Sequence, residues 1–276
     1  MVGTEYGYIL KQYLTMLLFA LRRTRIARKD LHNWFFLLSA PLLYILDFKG
    51  ELKTPSGRLS VINRGILRSF AYGFFKTRFA YSHGLRILQF VKFFPVIVDV
   101  GANIGDFTLA TRNIAGKILA IEPAEENFLA LSKNLRINHA NNVLPLRLAA
   151  HDREEYVFLR GESSNMYVAR ESKGELVKGV PLEAIIQKLG IKSIDLLKID
   201  VQGHELCVLS GMRSLLQKKL VRLLIIEVHL KRGVSVNNIV SFMKNYGYHL
   251  VHKDDYLFDQ PHLYFAPHTN ALKVII

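Results

Sequence analysis

Four side chains that could move protons sit close together in the second half of the sequence. Asp200 and Glu205 belong to Lys198-Ile199-Asp200-Val201-Gln202-Gly203-His204-Glu205, and Glu227 and His229 to Ile226-Glu227-Val228-His229. Carboxylates beside an imidazole can take the proton of a weak nucleophile such as an alcohol. Oxygen and imidazole ligands also suit Mg²⁺ or Mn²⁺, although no divalent cation is expected here. A different chemistry is written into Asp99-Val100-Gly101-Ala102-Asn103-Ile104-Gly105-Asp106. Gly101 and Gly105 let backbone approach a ligand closely, and a helix start just beyond would aim N–H groups at an anion. Glu122 follows 21 residues after Gly101, at the end of the next apolar run, where a carboxylate can accept hydrogen bonds from ribose hydroxyls. The G-x-G-x-x-G spacing of a dinucleotide cradle is missing, which disfavours a nicotinamide enzyme.

These residues need a scaffold that brings the ends of several strands together. Val96–Val100, Ile118–Ile121, Val143–Leu148, Ile194–Ile199 and Leu220–Val228 are short runs that are nearly continuous in apolar residues. Such runs belong to strands covered on both faces, as in a parallel sheet. Helical patterns fall between them, over Asp106–Ala115, Glu125–Asn138 and Gly203–Gln217, and after the last at Ser235–Tyr246. Tyr248–His252 and His262–Ala266 close the chain as an antiparallel pair. Strand and helix alternating this often predict an α/β, doubly wound, Rossmann-like sheet. All the chemistry-bearing residues then fall at the carboxyl ends of strands, where open sheets of this kind bind ligands.

Each candidate also has a plain structural role. Glu205 could complement a helix dipole, Asp200 could cap the same helix, and His229 taken alone reads as a buried, satisfied histidine. Three carboxylates and a histidine at adjacent strand ends are harder to explain by structure alone. Cys207 falls on the apolar side of its helix and reads as an inert buried thiol.

Taken in order, Val98–Gly105, Ile121-Glu122-Pro123, Leu197–Glu205 and Ile226–His229 resemble the signature blocks of FkbM-type methyltransferases, with Gln202 departing from the usual glutamate. The similarity runs over about residues 52–267. It implies a seven-stranded, mostly parallel sheet with a reversed final hairpin and S-adenosylmethionine as donor. The implied reaction is methylation of a hydroxyl on a sugar, glycolipid or secondary metabolite. On that basis Asp99, Gly101, Asn103, Gly105 and Glu122 surround the donor, with Asp152 reaching its adenine, and Asp200, Glu205, Glu227 and His229 act on the acceptor. The competing reading is a catalytically silent protein of the same fold that binds membrane or nucleic acid.

The charge pattern keeps that alternative in view. Net charge is +14, and residues 1–95 hold 15 Lys and Arg against 4 Asp and Glu, whereas the rest is nearly balanced, 22 against 19. Residues 1–48 form a helical extension in which Tyr6–Leu21 and Trp34–Leu46 flank the basic run Arg22–Lys29. Neither stretch has the uninterrupted apolar length of a membrane span. Two readings stay open: a helical subdomain packed on the main fold with a solvated basic stretch, or packing together with peripheral contact with an anionic membrane. The second is the expectation here, with the protein cytoplasmic and the acceptor a small molecule, glycan or lipid-linked group. Residues 49–94 read as a connecting module with a turn at Thr54-Pro55-Ser56-Gly57, and residues 95–276 as the donor-binding domain. Nucleic acid is disfavoured because the basic residues are not interleaved with a stacking platform. A single cysteine excludes an intramolecular disulfide and a cysteine-cluster metal site.

Overall fold

The computed structural model describes residues 49–54, 57–61, 93–161, 165–169, 173–254 and 260–269. The expected membrane-contacting extension, residues 1–48, lies outside them. Among the described residues no helix is long and apolar enough to cross a membrane.

A hairpin of β1 (Gly50–Thr54) and β2 (Gly57–Val61) precedes the main fold, within the segment expected only to connect. The main sheet begins with β3 (Phe94–Val100), helix α1 (Asp106–Thr111), β4 (Ala115–Ile121), helix α2 (Glu125–Ile137) and β5 (Val143–Leu146). The chain then leaves this sheet. β6 (Ala149–His151), β7 (Glu155–Arg160), β8 (Tyr167–Ala169) and β9 (Glu175–Pro181) form a separate four-stranded sheet in the order β6-β9-β7-β8. Helix α3 (Leu182–Lys188) leads back to β10 (Ile194–Ile199), then α4 (Glu205–Ser210), α5 (Arg213–Gln217), β11 (Val221–Glu227), α6 (Val236–Asn245), β12 (His249–Asp254) and β13 (His262–Ala266).

The seven-stranded sheet has the order β12-β13-β11-β10-β3-β4-β5. Its members run parallel except β13, which is antiparallel to both neighbours. The central strands are mostly apolar because helices cover both faces; all of Ile194–Ile199 is buried, Asp195 and Lys198 included. Chain order runs outward from β3 through β4 to β5 and then returns to β10 on the other side of β3. The switch point between β3 and β10 thus lies where Val100 pairs with Ile199, immediately before Gly101 and Asp200.

Two expected elements divide in the structure, and both divisions involve His151. The Val143–Leu148 strand stops at Leu146, and Ala149–His151 pairs with β9 of the other sheet instead. The single helix over Gly203–Gln217 breaks into α4 and α5 around Gly211, where a Cβ would strike the carbonyl of His151. The second half is recapped by Glu183, whose Oε2 accepts the Ser214 N–H at 2.9 Å. The first expected helix is also shorter, since Arg112–Ile114 tightens into a 3-10 turn before β4.

Candidate functional site

On the β4 side of the switch point, backbone geometry dominates. Gly101 has φ +79°, and a Cβ there would run into the Asp200 carbonyl of the adjacent strand end. Gly105 has φ +92°, and its missing Cβ is matched by Leu131 Cδ1 at 2.7 Å. The glycines are therefore required first by packing inside the protein. Between them Asn103 takes a left-handed conformation, φ 50°, which asparagine tolerates better than most residues with a side chain. Its N–H donates to Glu122 Oε2 at 2.8 Å, while its buried Oδ1 makes no hydrogen bond among the described residues.

Glu122 is only 4% exposed. Its Oε1 accepts from the Ala124 N–H at 3.1 Å and from Asn127 Nδ2 at 3.3 Å. Burial outweighs these bonds and pushes its pKa up to about 7. Such a carboxylate would gain from further donors, which the two hydroxyls of a ribose supply. Helix α1 has six residues and begins with Asp106, so it presents little free positive end to an anion.

Asp99 is placed differently from the rest of the expected donor group. It is completely buried within β3; Thr108 Oγ1 donates to its Oδ2 at 2.6 Å, and Lys198 Nζ lies 3.3 Å from its Oδ1. The partner Lys198 interrupts the apolar run of β10 and lies beside Asp99 in register. It also stands 3.4 Å from Asp200 Oδ2. Burial works against the Lys198 charge, but Asp99 and Asp200 outweigh it and raise the pKa. Lys198 is one of two charged residues in β10, with Asp195, and a charge within so apolar a run is the sequence signal for a buried partner. Asp152, after β6, is about one-third exposed at its side chain and approaches His151 Nδ1 at 2.8 Å.

On the β11 side the structure brings together all four expected acceptor residues. His229 Nδ1 and Glu205 Oε1 are 2.5 Å apart, and the same oxygen accepts the Gly203 N–H at 3.1 Å. The other ring nitrogen, Nε2, faces Asp200 Oδ1 at 3.6 Å and Glu227 Oε1 at 3.7 Å. It makes no hydrogen bond among the described residues, and neither does Glu205 Oε2. Glu227 is completed by His262, which antiparallel register places opposite it, with Nε2 3.2 Å from Oε2. No periodic pattern in the sequence distinguishes His262. Burial lowers the pKa of His229, but the Glu205 hydrogen bond and the charges of Glu227, Asp200 and Glu205 prevail and raise it. Of the four, Asp200 is the most open, at 14% side-chain exposure against 2% or less for the others. Asp200, Glu227 and His229 also place one ligand atom each within 4.8 Å of the others, a set able to hold a divalent cation.

Residues 99–250 match the methyltransferase FkbM domain, more than half of the chain. The chain belongs to the FkbM methyltransferase family. Methyltransferase sdnD of Sordaria araneosa is 32% identical over 178 residues, covering 51% of this chain and 68% of that protein. Hexuronic acid methyltransferase AglP of Haloferax volcanii is 28% identical over 151 residues, covering 54% of this chain and 61% of that protein. Among solved structures, the methyltransferase FkbM of Methylobacillus flagellatus superposes with a TM-score of 0.52 at 18% identity, over 84% of this chain and 60% of that one. At that identity the likeness is one of fold.

Proposed function

We propose that this FkbM-family protein is an S-adenosylmethionine-dependent O-methyltransferase acting on a hydroxyl of a sugar, glycolipid or secondary metabolite. One observation carries the reading: the β3/β10 switch point has a ribose-accepting carboxylate, Glu122, on one side and the Asp200–His229–Glu205–Glu227 cluster on the other. S-adenosylmethionine supplies a methyl group on a positively charged sulfur. Glu122 would accept the ribose hydroxyls, the Gly101–Gly105 loop with Asn103 would line the donor, and Asp152 would stand at the adenine rim. Asp99 would act one layer beneath, holding Lys198.

The acceptor oxygen forms a bond to the methyl carbon as the carbon–sulfur bond breaks, its electron pair staying on sulfur. The hydroxyl proton must leave at the same time. Asp200, the most open member, would meet the hydroxyl, and His229 Nε2 behind it would hold the proton. Glu205 fixes the ring from its other nitrogen, a carboxylate–imidazole arrangement that sets the tautomer. Holding donor and acceptor at attack distance removes on the order of 7–11 kcal/mol of barrier. The metal-capable set of Asp200, Glu227 and His229 favours one second reading, in which a cation replaces proton transfer to His229. Titration with Mg²⁺ or Mn²⁺ separates the two, since proton transfer alone predicts no stimulation of turnover by either ion.

A sugar acceptor is supported by the hexuronic acid methyltransferase among the relatives. Presentation at a membrane is supported by the basic, apolar residues 1–48. Incubation with radiolabelled donor and a cell extract, followed by identification of the labelled product, tests the activity. Label in an alkali-stable ether is expected, and no transfer to any hydroxyl-bearing fraction would contradict it. Co-sedimentation with anionic vesicles, with and without residues 1–48, tests the location. Loss of pelleting on truncation supports membrane contact, and equal pelleting contradicts it.

A further inference from the structure

A second cluster of ligand-type side chains lies where the end of β6 meets the start of α4, and methyl transfer makes no use of most of it. His151 closes β6, His204 directly precedes α4, and Cys207 follows one helical turn later. The two imidazole rings are 4.9 Å apart between centroids and tilted by 40°. One ligand atom from each of His151, His204 and Cys207 lies within 4.8 Å of the other two. His151, Asp152 and Glu155 satisfy the same condition, so both sets share His151.

The polar groups here are incompletely paired. His151 is 5% exposed, yet its Nδ1 makes no hydrogen bond among the described residues. Its contacts are ion pairs, Nδ1 with Asp152 Oδ1 at 2.8 Å and Nε2 with Glu155 Oε1 at 3.5 Å. His204 Nε2 is likewise buried without a hydrogen bond. Protonating His204 is no remedy, because burial and the neighbouring His151 hold its pKa at about 4. Two imidazoles that each hold a buried nitrogen without a hydrogen bond among the described residues, beside a thiol, suit an electrophile.

We propose that His151, His204 and Cys207 form a three-ligand binding site for a zinc-class divalent cation, with solvent completing its coordination. Two imidazoles and one sulfur suit Zn²⁺, which favours four-coordinate nitrogen and sulfur sites. A Cys207 thiolate would cancel half of the charge of the ion. Burial and the Asp152 carboxylate push the free thiol up to about 12. Binding therefore breaks the Cys207 S–H bond, forms a sulfur–zinc bond and releases one proton to solvent. The bound ion would tie the four-stranded sheet to the helix that carries Glu205.

The test is independent of methyl transfer and uses the untagged full chain with Zn²⁺ alone. Cys207 is the only cysteine in the sequence, so a thiol reagent reports on this site and no other. One equivalent of zinc should bind, slow thiol modification roughly tenfold or more, and release one proton in buffer-dependent calorimetry. Co²⁺ in its place should give thiolate-to-metal charge-transfer absorption. His204→Gln and Cys207→Ser should each weaken zinc binding roughly tenfold or more. Zinc that leaves Cys207 reactivity unchanged, or binds the variants as it binds the parent, would overturn the site. Thiol protection is measured on the unaltered protein, so a variant that fails to fold leaves the test intact.

Discussion

The two ends of β10 carry an aspartate each, and the pair could hardly be treated more differently. Asp195, at the start of the strand, accepts the Val96 N–H at 3.0 Å and pairs with Arg222 at 3.0 Å, so each carboxylate oxygen has a partner. Asp200, just beyond the other end, looks across 3.6 Å to a histidine nitrogen that has no hydrogen bond among the described residues. Behind it Glu205 holds one oxygen on His229 and leaves the other without a hydrogen bond among the described residues. Buried polar groups are ordinarily satisfied, and one left unmatched costs about 1–3 kcal/mol. Where a protein accumulates several at one strand end and none at the other, the first end is built for a ligand and the second for the fold. Asp195 is a stitch between neighbouring strands; Asp200 belongs to the proposed site.

The contrast is broken most directly by substitution. His229→Gln and Asp200→Asn should each lower turnover by about 10²–10⁴-fold, the range for removing a proton-transfer group, while donor affinity changes little. Single-turnover methylation beside donor calorimetry reads the two effects separately. Lys198→Met leaves Asp99 and Asp200 facing each other without a cation. It should reduce folding stability by about 3–5 kcal/mol in urea denaturation, and an unchanged midpoint would show the ion pair to be dispensable. Asp195→Asn should cost about 1–3 kcal/mol of stability, with near-normal turnover in whatever protein remains folded. A catalytic defect there at full stability would erase the distinction between the two ends.

A smaller effect is expected in pH dependence. Glu122 has its folded pKa raised from 4.5 to about 7, so the folded state favours its neutral form. Its ionisation therefore opposes folding, and the stability it contributes is present below the unfolded value and lost as pH rises through about 7. Donor binding has the opposite trend, because only the ionised carboxylate accepts from both ribose hydroxyls. Donor affinity should strengthen as pH rises through about 7, and Glu122→Gln should flatten the profile.

Much of this arrangement is legible in the sequence because a doubly covered parallel strand leaves an unmistakable trace. Ile194–Ile199 and Leu220–Glu227 can be little else, and the polar residues at their ends stand out against the apolar runs. The four-stranded sheet leaves a fainter one. Val157, Leu159 and Val177 point inward while Tyr156 and Leu176 are exposed, an alternation that continuous apolar runs do not reveal. Gly211 illustrates a second limit. The helical stripe Leu206, Leu209, Met212, Leu216 is real, yet the approach of the His151 carbonyl, a contact made by a residue 60 positions away, breaks the helix. The site shows the same division. Strand ends located Asp200, Glu205, Glu227 and His229, but the partnership of Asp99 with Lys198 and of Glu227 with His262 depends on strand register, which the local pattern does not encode.

The central claim, that the two sides of the β3/β10 switch point divide donor binding from acceptor chemistry, is tested most directly by calorimetry with S-adenosylhomocysteine, the demethylated donor. The protein should bind it with micromolar affinity and bind NAD far more weakly. Glu122→Ala should abolish that binding, and His229→Gln should leave it within a few-fold of the parent. Tighter binding of NAD, or loss of binding in His229→Gln with retention in Glu122→Ala, would contradict the account.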